Sequence, residues 1–344
     1  MSVTIKDIAR EAHVSHSTVS RALHDHPAIP SETVAHIKEL AVKMGYIPSA
    51  AARKLKTHRS RAMGVIVNNF GDPFWSDVIQ GIDEILRSAN YSIFIGTTLG
   101  DKLREKEVVQ TMVQHGVDGV IVCSPQFSPE QNQALMAYEL PMVIVNNEGA
   151  SASQSIVSND DVYGTRLATR HLAELGHRRI AYIGISGGGR TNLEREKGFR
   201  DEMAQQGLPV DERLIVCGAA EMPAEGYKAA SQLLFVQDRP TAVLCYNDYM
   251  TIGVYSALFN AGLKIPQDIS VVGFDDIDIS AYLTPALTTV RQYKSRLGSI
   301  VATTMLQQLA RREAPAAEAE RPEKILIRGE LVVRASTAPV RGNA

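Results

Sequence analysis

The chain has 344 residues, too many for one compact domain of ordinary size and enough for about two or three folding units. Its 44% hydrophobic and 22% charged residues are those of an ordinary globular protein, and no apolar run approaches the roughly 18 residues a membrane-spanning helix needs. The formal net charge of −2 hides an asymmetry: residues 1–61 hold ten Lys and Arg against five acidic residues, leaving 26 basic against 33 acidic in the remainder.

A basic head on an acidic body points to a polyanion partner for the head alone. The opening MSVTIKDIAREA has charged residues where an export signal needs an apolar stretch, so a cytoplasmic protein is expected. Cys123, Cys217 and Cys245 have neither metal nor redox spacing and read as inert thiols.

Ile5, Ile8, Ala9 and Ala12 recur at helical spacing behind Thr4, which serves as N-cap. After a break at His13-Val14, Ser15 caps a second helix with Val19, Ala22 and Leu23 facing inward. Ser31 starts a third, with Val34, Ile37, Leu40, Ala41 and Met44 on its apolar side and Gly45 as its C-terminal cap. Residues 46–61, YIPSAAARKLKTHRSR, then form a basic connector whose one large aliphatic group inside the Ala-rich run is Leu55. Alone it buries too little to be a stable helix, and composition equally suits a charged linker.

From Ala62 the pattern changes. Short apolar runs (MGVIVN, YSIFIG, DGVIVC, PMVIVN, RIAYIG, TAVLCY, ISVVGFD) alternate with helical segments at 75–88, 102–115, 161–175, 194–206, 225–235 and 249–261. This predicts an α/β fold of doubly wound parallel sheets, two rather than one at this length, with ligands beyond the carboxyl ends of the strands.

TIKDIAREAHVSHSTVSRAL (4–23) suits a helix-turn-helix. Small Ala9 lets the helices approach, Val19 packs across the turn, and polar residues open the second helix where it would face base edges. The segment resembles the N-terminal signature of the LacI/GalR family of bacterial transcription regulators, in T-I-K-D-I-A, A-x-V-S-x-S-T-V-S-R-A-L and G-Y-I-P. DPFWSDVIQGI, GVDGVIV, the run NDDVYGTRLATRHLAELGHRRIAYIG, REKGFRDEM, the stretch from YNDYM to TTVRQ and GELVVRASTAPV resemble that family's sensor, so the likeness spans about Val3 to Val340.

The resemblance implies a three-helix DNA-binding domain (1–47), a hinge helix (48–61) and a two-lobed, periplasmic-binding-protein-like sensor and dimerisation domain (62–340). The first lobe is expected to take about 62–159 and 292–320, the second about 160–291 and 321–340. By motif position His16, Ser17, Thr18 and Arg21 face DNA, Arg21 suiting the O6 and N7 of guanine. His13 stands where the family often has Gly, at a turn whose left-handed backbone His tolerates. In the hinge, Ala52, Leu55 and Lys56 are the expected DNA contacts, with Leu55 as a minor-groove wedge. The effector contacts implied between the lobes are Phe74, Trp75, Ser124, Asn146, Asp160, Arg195, Glu221, Asn247 and Asp275. Core packing for the aromatics, and helix capping or interlobe ion pairs for the charged and amide groups, are the competing roles.

The expected protein is therefore a homodimeric, sequence-specific repressor on pseudo-palindromic DNA, released by a sugar or sugar derivative. A ligand acting as corepressor is the alternative sign. Glu221 departs from the family, some of whose members carry an aromatic ring near there, which leaves a purine as the alternative ligand class. Mixed amide, carboxylate and guanidinium groups with aromatics favour a sugar or sugar derivative. A pure solute-binding protein would share the sensor but carry an export signal and no basic head. Gly184-Ile-Ser186-Gly-Gly188 matches G-x-S-x-G, yet a hydrolase elbow needs a later His and none follows His177, so no enzyme is expected. His24 and His26 lack further ligands at useful spacing, and no metal or cofactor is expected.

Overall fold

The computed structural model describes residues 3–46, 59–123, 138, 140–146, 155–187, 189–312 and 323–340. The chain divides into two compact units, Met1–Ser60 and Arg61–Ala344. The expected hinge contacts Ala52, Leu55 and Lys56, and the expected effector contact Ser124, lie outside the described residues.

In the first unit, α1 (Ile5–Glu11), α2 (His16–Ala22) and α3 (Ser31–Lys43) enclose a core of Ile8, Ala9, Val19, Ala22, Ile37 and Ala41. Thr4 and Asp7 form a capping box on α1. Its end is a Schellman turn: the Val14 amide reaches the Ala9 carbonyl, the His13 amide reaches Arg10, and His13 holds a φ of 53°. The left-handed turn thus survives a histidine. Gly45, at φ 68°, ends α3 in the same way, with Tyr46 N–H on Ala41 and Gly45 N–H on Val42.

The second unit holds, among the described residues, two six-stranded sheets. The strands are β1 (Ala62–Val67), β2 (Ser92–Thr97), β3 (Gly119–Cys123), β4 (Met142–Val145), β5 (Ser155–Asn159), β6 (Ile180–Ile185), β7 (Ile215–Gly218), β8 (Ala242–Cys245), β9 (Ser270–Asp275), β10 (Thr288–Arg291), β11 (Lys324–Ile327) and β12 (Glu330–Val332). The first sheet runs β11-β5-β4-β3-β1-β2, all parallel; the second runs β12-β10-β9-β8-β6-β7, parallel except where β12 meets β10. Strands β1, β3, β4, β6, β8 and β9 are buried along their whole length, which is why they read as continuous apolar runs rather than alternating ones.

The remaining helices are α4 (Pro73–Ser88), α5 (Lys102–Gln114), α6 (Asp161–Glu174), α7 (Gly189–Gln205), α8 (Pro223–Leu233), α9 (Asp248–Asn260) and α10 (Lys294–Arg311). Helix α7 starts five residues before the expected 194, because the glycine-rich segment enters it directly. In the first lobe α4 and α10 meet backbone to backbone. A Cβ on Gly81 would strike the Ser295 carbonyl, and one on Gly298 the Val78 carbonyl.

The chain crosses between sheets after β5, after β10 and after β11. The third crossing corrects the expected lobe division, which gave all of 321–340 to the second lobe. Lys324–Ile327 pair in parallel with Ile156–Asn159 and complete the edge of the first sheet, so the passage falls between Ile327 and Glu330.

The C-terminal segment is tied to the second lobe through His177, which is buried. Its Nδ1 meets the Thr241 hydroxyl at 2.9 Å, and its Nε2 meets the Ser270 hydroxyl at 3.0 Å and the Ala338 carbonyl at 3.1 Å. Burial holds its imidazole below the usual range, so as pH falls the unfolded chain takes up the proton first. Its contribution is therefore complete above the unfolded value of about 6.5 and drains away as pH drops from there toward the folded value. Urea titrations at pH 7.5 and 5.5 should show an acid loss of stability that shrinks in His177→Gln. Part of the loss will remain, since burial shifts His171 the same way.

Candidate effector site and DNA-reading face

The sensor site sits where both sheets reverse their winding: between β1 and β3 in the first, and between β6 and β8 in the second. Asp72, Phe74, Trp75 and Asn146 line it from one lobe, and Thr191, Arg195, Glu221, Tyr246, Asn247 and Asp275 from the other. These walls enclose about 30 Å³, so the lobes must part to admit a ligand the size of a sugar ring.

Asp72 caps α4 by accepting the Phe74 amide at 3.0 Å, which sets the following aromatics at the cleft. Phe74 and Trp75 pack edge to face, centroids 4.9 Å apart, and are 5% and 6% exposed. They belong to the first-lobe core and they also line the cleft. Asn146 sits at φ 54°, and its side-chain oxygen accepts the Asn159 amide at 2.9 Å. Asn247 is an N-cap as well as a lining residue, accepting the Met250 amide at 2.8 Å.

Arg195 organises the opposite wall. Its Nε donates to Asp161 at 2.8 Å, one terminal nitrogen to the Tyr246 carbonyl at 2.6 Å and the other to Asp275 at 3.3 Å. The guanidinium stacks between the rings of Tyr246 and Phe274, 4.6 and 3.9 Å from their centroids. Burial opposes its charge, but Asp161 and Asp275 outweigh that and hold the proton more firmly than usual. Arg195 is thus both an interior ion-pair centre and a lining residue.

Asp275 closes β9 at φ 108°, a strained conformation for a residue with a side chain. Lys294 holds the strain in place, donating to the carbonyls of Asp275 and Asp276 at 3.1 and 2.7 Å, while Gln292 donates to the Asp275 carboxylate at 2.5 Å. Burial pushes the Asp275 carboxyl up to about 7 against the pull of Arg195. Asp72 and Glu221 are also raised, by burial first; for Asp72 the facing Glu221 adds to it.

Asp160 does not line the cleft. It caps α6 through the Tyr163 amide and pairs with Arg328 at 3.1 Å, so the expected effector contact gives way to the capping and ion-pair role. Asp72, Thr191 and Tyr246 are lining residues that the sequence reading passed over. The signals were present: Asp72 precedes a helix-starting Pro, and Tyr246 directly follows a buried strand. Gly187 and Gly189, at φ 70° and 63°, shape the turn from β6 into α7, the simpler role weighed for the G-x-S-x-G segment. Among the described residues no three His, Cys, Asp or Glu stand together as a metal site, and no helix is long and apolar enough to cross a membrane.

On the first unit, Ser15 caps α2 by accepting the Thr18 amide at 3.1 Å, and its hydroxyl also meets those of Ser17 and Thr18. His16, Ser17 and Arg21 are exposed, with Ser17 and Arg21 one turn apart on one face, while Thr18 is half-buried. Of the four DNA contacts expected on α2, three project outward and Thr18 turns its hydroxyl to the cap.

Residues 4–49 match the lacI family of bacterial regulatory proteins, and residues 169–337 match the periplasmic binding protein-like domain. The HTH-type transcriptional repressor PurR of Haemophilus influenzae (strain PittEE) is 31% identical over 337 residues, covering 98% of this chain and 99% of the relative. The chain belongs to the lacI family. A lacI-family regulator from Enterococcus faecium with bound ribose is 27% identical, with a TM-score of 0.72 over 81% of this chain and 100% of that one. The lac repressor dimer bound to operator, at 24% identity, shares the fold with a TM-score of 0.86 over 98% of this chain and 100% of that one. As a lacI-family member the chain is a DNA-binding transcription regulator under the control of a small ligand.

Proposed function

We propose that this regulator is a homodimeric repressor, acting by binding rather than catalysis, whose hold on a pseudo-palindromic operator is released by a sugar or sugar derivative. The observation that carries the sugar reading is the cleft itself. An aromatic pair lies on one wall, carboxyl and amide groups stand on both and a guanidinium on the second, the combination that stacks on a pyranose or furanose face and meets its hydroxyls. The ribose bound to the E. faecium regulator accords with it.

His16, Ser17 and Arg21 are the proposed base readers, at the exposed start of α2. Two apolar surfaces suit a second copy of the chain. Phe94, Ile95 and Leu103 stand out from the edge strand β2 and α5, and Phe259, Ile279 and Tyr282 from the second lobe. A ligand that favours one lobe arrangement over another changes DNA affinity only through that preference.

The connector is proposed to insert Leu55 between bases at the centre of the operator. Leu55→Ala should then weaken operator binding at least tenfold in a mobility-shift titration while calorimetry finds effector affinity unchanged. Equal operator affinity would remove Leu55 from the DNA-binding surface.

The whole reading is tested by incubating the full chain with random-sequence duplexes at moderate salt and sequencing what it retains. A palindrome with half-sites about one helical turn apart, lost on adding the right sugar, is expected. Absence of any enriched sequence would defeat the operator reading, and a palindrome retained more strongly with sugar would reverse the sign of control.

A further inference from the structure

We infer that the effector carries a protonated amino group besides its hydroxyls, and that Asp72 and Glu221 grip this ammonium from opposite lobes. The inference rests on the sugar-binding cleft proposed above and narrows its ligand to amino sugars.

Asp72 is 3% exposed and lines the cleft from the first lobe, and Glu221 lines it from the second. The donors that the two acids find in the protein are weak: the Phe74 amide on Asp72, and the Tyr246 hydroxyl, 3.4 Å from Glu221. Arg195 is the one cation lining the cleft among the described residues, and each of its three nitrogens donates within the protein, to Asp161, the Tyr246 carbonyl and Asp275. Three carboxyls therefore line a cleft whose single guanidinium is already committed to one of them and to Asp161.

Carboxyls that line one cleft without a cation of their own resist ionising together. An ammonium group relieves this: it offers three donors, enough for both acids, and supplies the missing charge. Trp75 and Phe74 line the same cleft, and aromatic surface is compatible with an ammonium as well as with a sugar face. A neutral sugar could occupy the carboxyl oxygens but would leave their charge uncompensated. A phosphorylated sugar or a uronate would add negative charge to the acidic wall.

The test is calorimetry on the full-length protein at pH 7 with matched pairs: D-glucosamine, D-galactosamine and D-mannosamine, each against its parent hexose, and 6-amino-6-deoxy-D-glucose against D-glucose. At least one amine should bind ten times or more tightly than its parent, with the preference abolished in Glu221→Gln. Parents binding as well as every amine would overturn the ammonium while leaving the sugar reading intact. A preference undiminished in Glu221→Gln would overturn the placement between these two acids. Failure of every sugar, amino or neutral, would defeat the sugar reading itself and this inference with it.

Discussion

Arg195→Met should destabilise the second lobe by about 3–5 kcal/mol, the range for breaking a buried ion pair from one side. It should also abolish effector binding. The side chain is 4% exposed, and Met roughly matches its length, so the packing volume changes little. What changes is charge. Asp161 and Asp275 are both buried, and both carboxyls sit above their ordinary range even with the guanidinium present, because burial dominates. Without Arg195 each must take a proton or remain as an uncompensated buried anion. The Tyr246 carbonyl loses its donor as well, and the rings of Tyr246 and Phe274 lose the cation between them.

Arg195→Lys should rescue little. One ammonium on a flexible stem cannot reproduce a planar fork directed at three acceptors. Hydrogen exchange would read the loss locally, as earlier opening of β6, β8 and β9 than in the parent, with the α4–α10 side of the first lobe unaffected. Trp75, the sole tryptophan, lines the cleft from the first lobe, so its fluorescence separates failed binding from failed folding. Native protection in β6, β8 and β9 would show that the guanidinium network contributes no stability.

The sequence showed the strands that are continuous apolar runs, the largely exposed SIFIGT among them, and hid those that are short or polar, the buried SIVSN among them. AMGVIV, and SVVGFD between its terminal Ser270 and Asp275, carry no polar side chain because they are buried along their whole length. Ile215–Gly218, Thr288–Arg291, Lys324–Ile327 and Glu330–Val332 are three or four residues long and partly exposed or polar, too short for any periodicity to show. The misplaced third crossing followed from this: with β11 unseen, nothing drew 324–327 toward the first sheet.

The site shows the same division. Asp160 and Asn247 look alike in sequence, each a polar residue after an apolar run and before a helix, and each is an N-cap. Only the fold separates them, turning Asn247 to the cleft and Asp160 toward Arg328. Phe74, Trp75, Asn146, Arg195, Glu221, Asn247 and Asp275 come together around one cavity although 201 residues separate the first from the last.

Arg21→Ala should cost about 1–3 kcal/mol in each half-site, the discrimination carried by a bidentate arginine–guanine pair. A dimer engages two half-sites, so the loss for a full palindrome is about 2–6 kcal/mol, or from tens to tens of thousands of fold in affinity. The fold of the first unit should be untouched. Arg21 is exposed, while α2 is held by Val19 and Ala22 in the core and by the Ser15 cap at its start. Two readouts separate base reading from phosphate neutralisation. If Arg21 reads guanine, the selected palindrome loses definition at one symmetric pair of positions, and the salt dependence of binding hardly changes. If it binds phosphate, affinity falls evenly over all sequences, and the salt slope drops by about one for each arginine removed. His16 and Ser17 would then be left as the sequence readers of α2. Their hydroxyl and imidazole are versatile in what they accept, so an operator read by them alone would be markedly more degenerate.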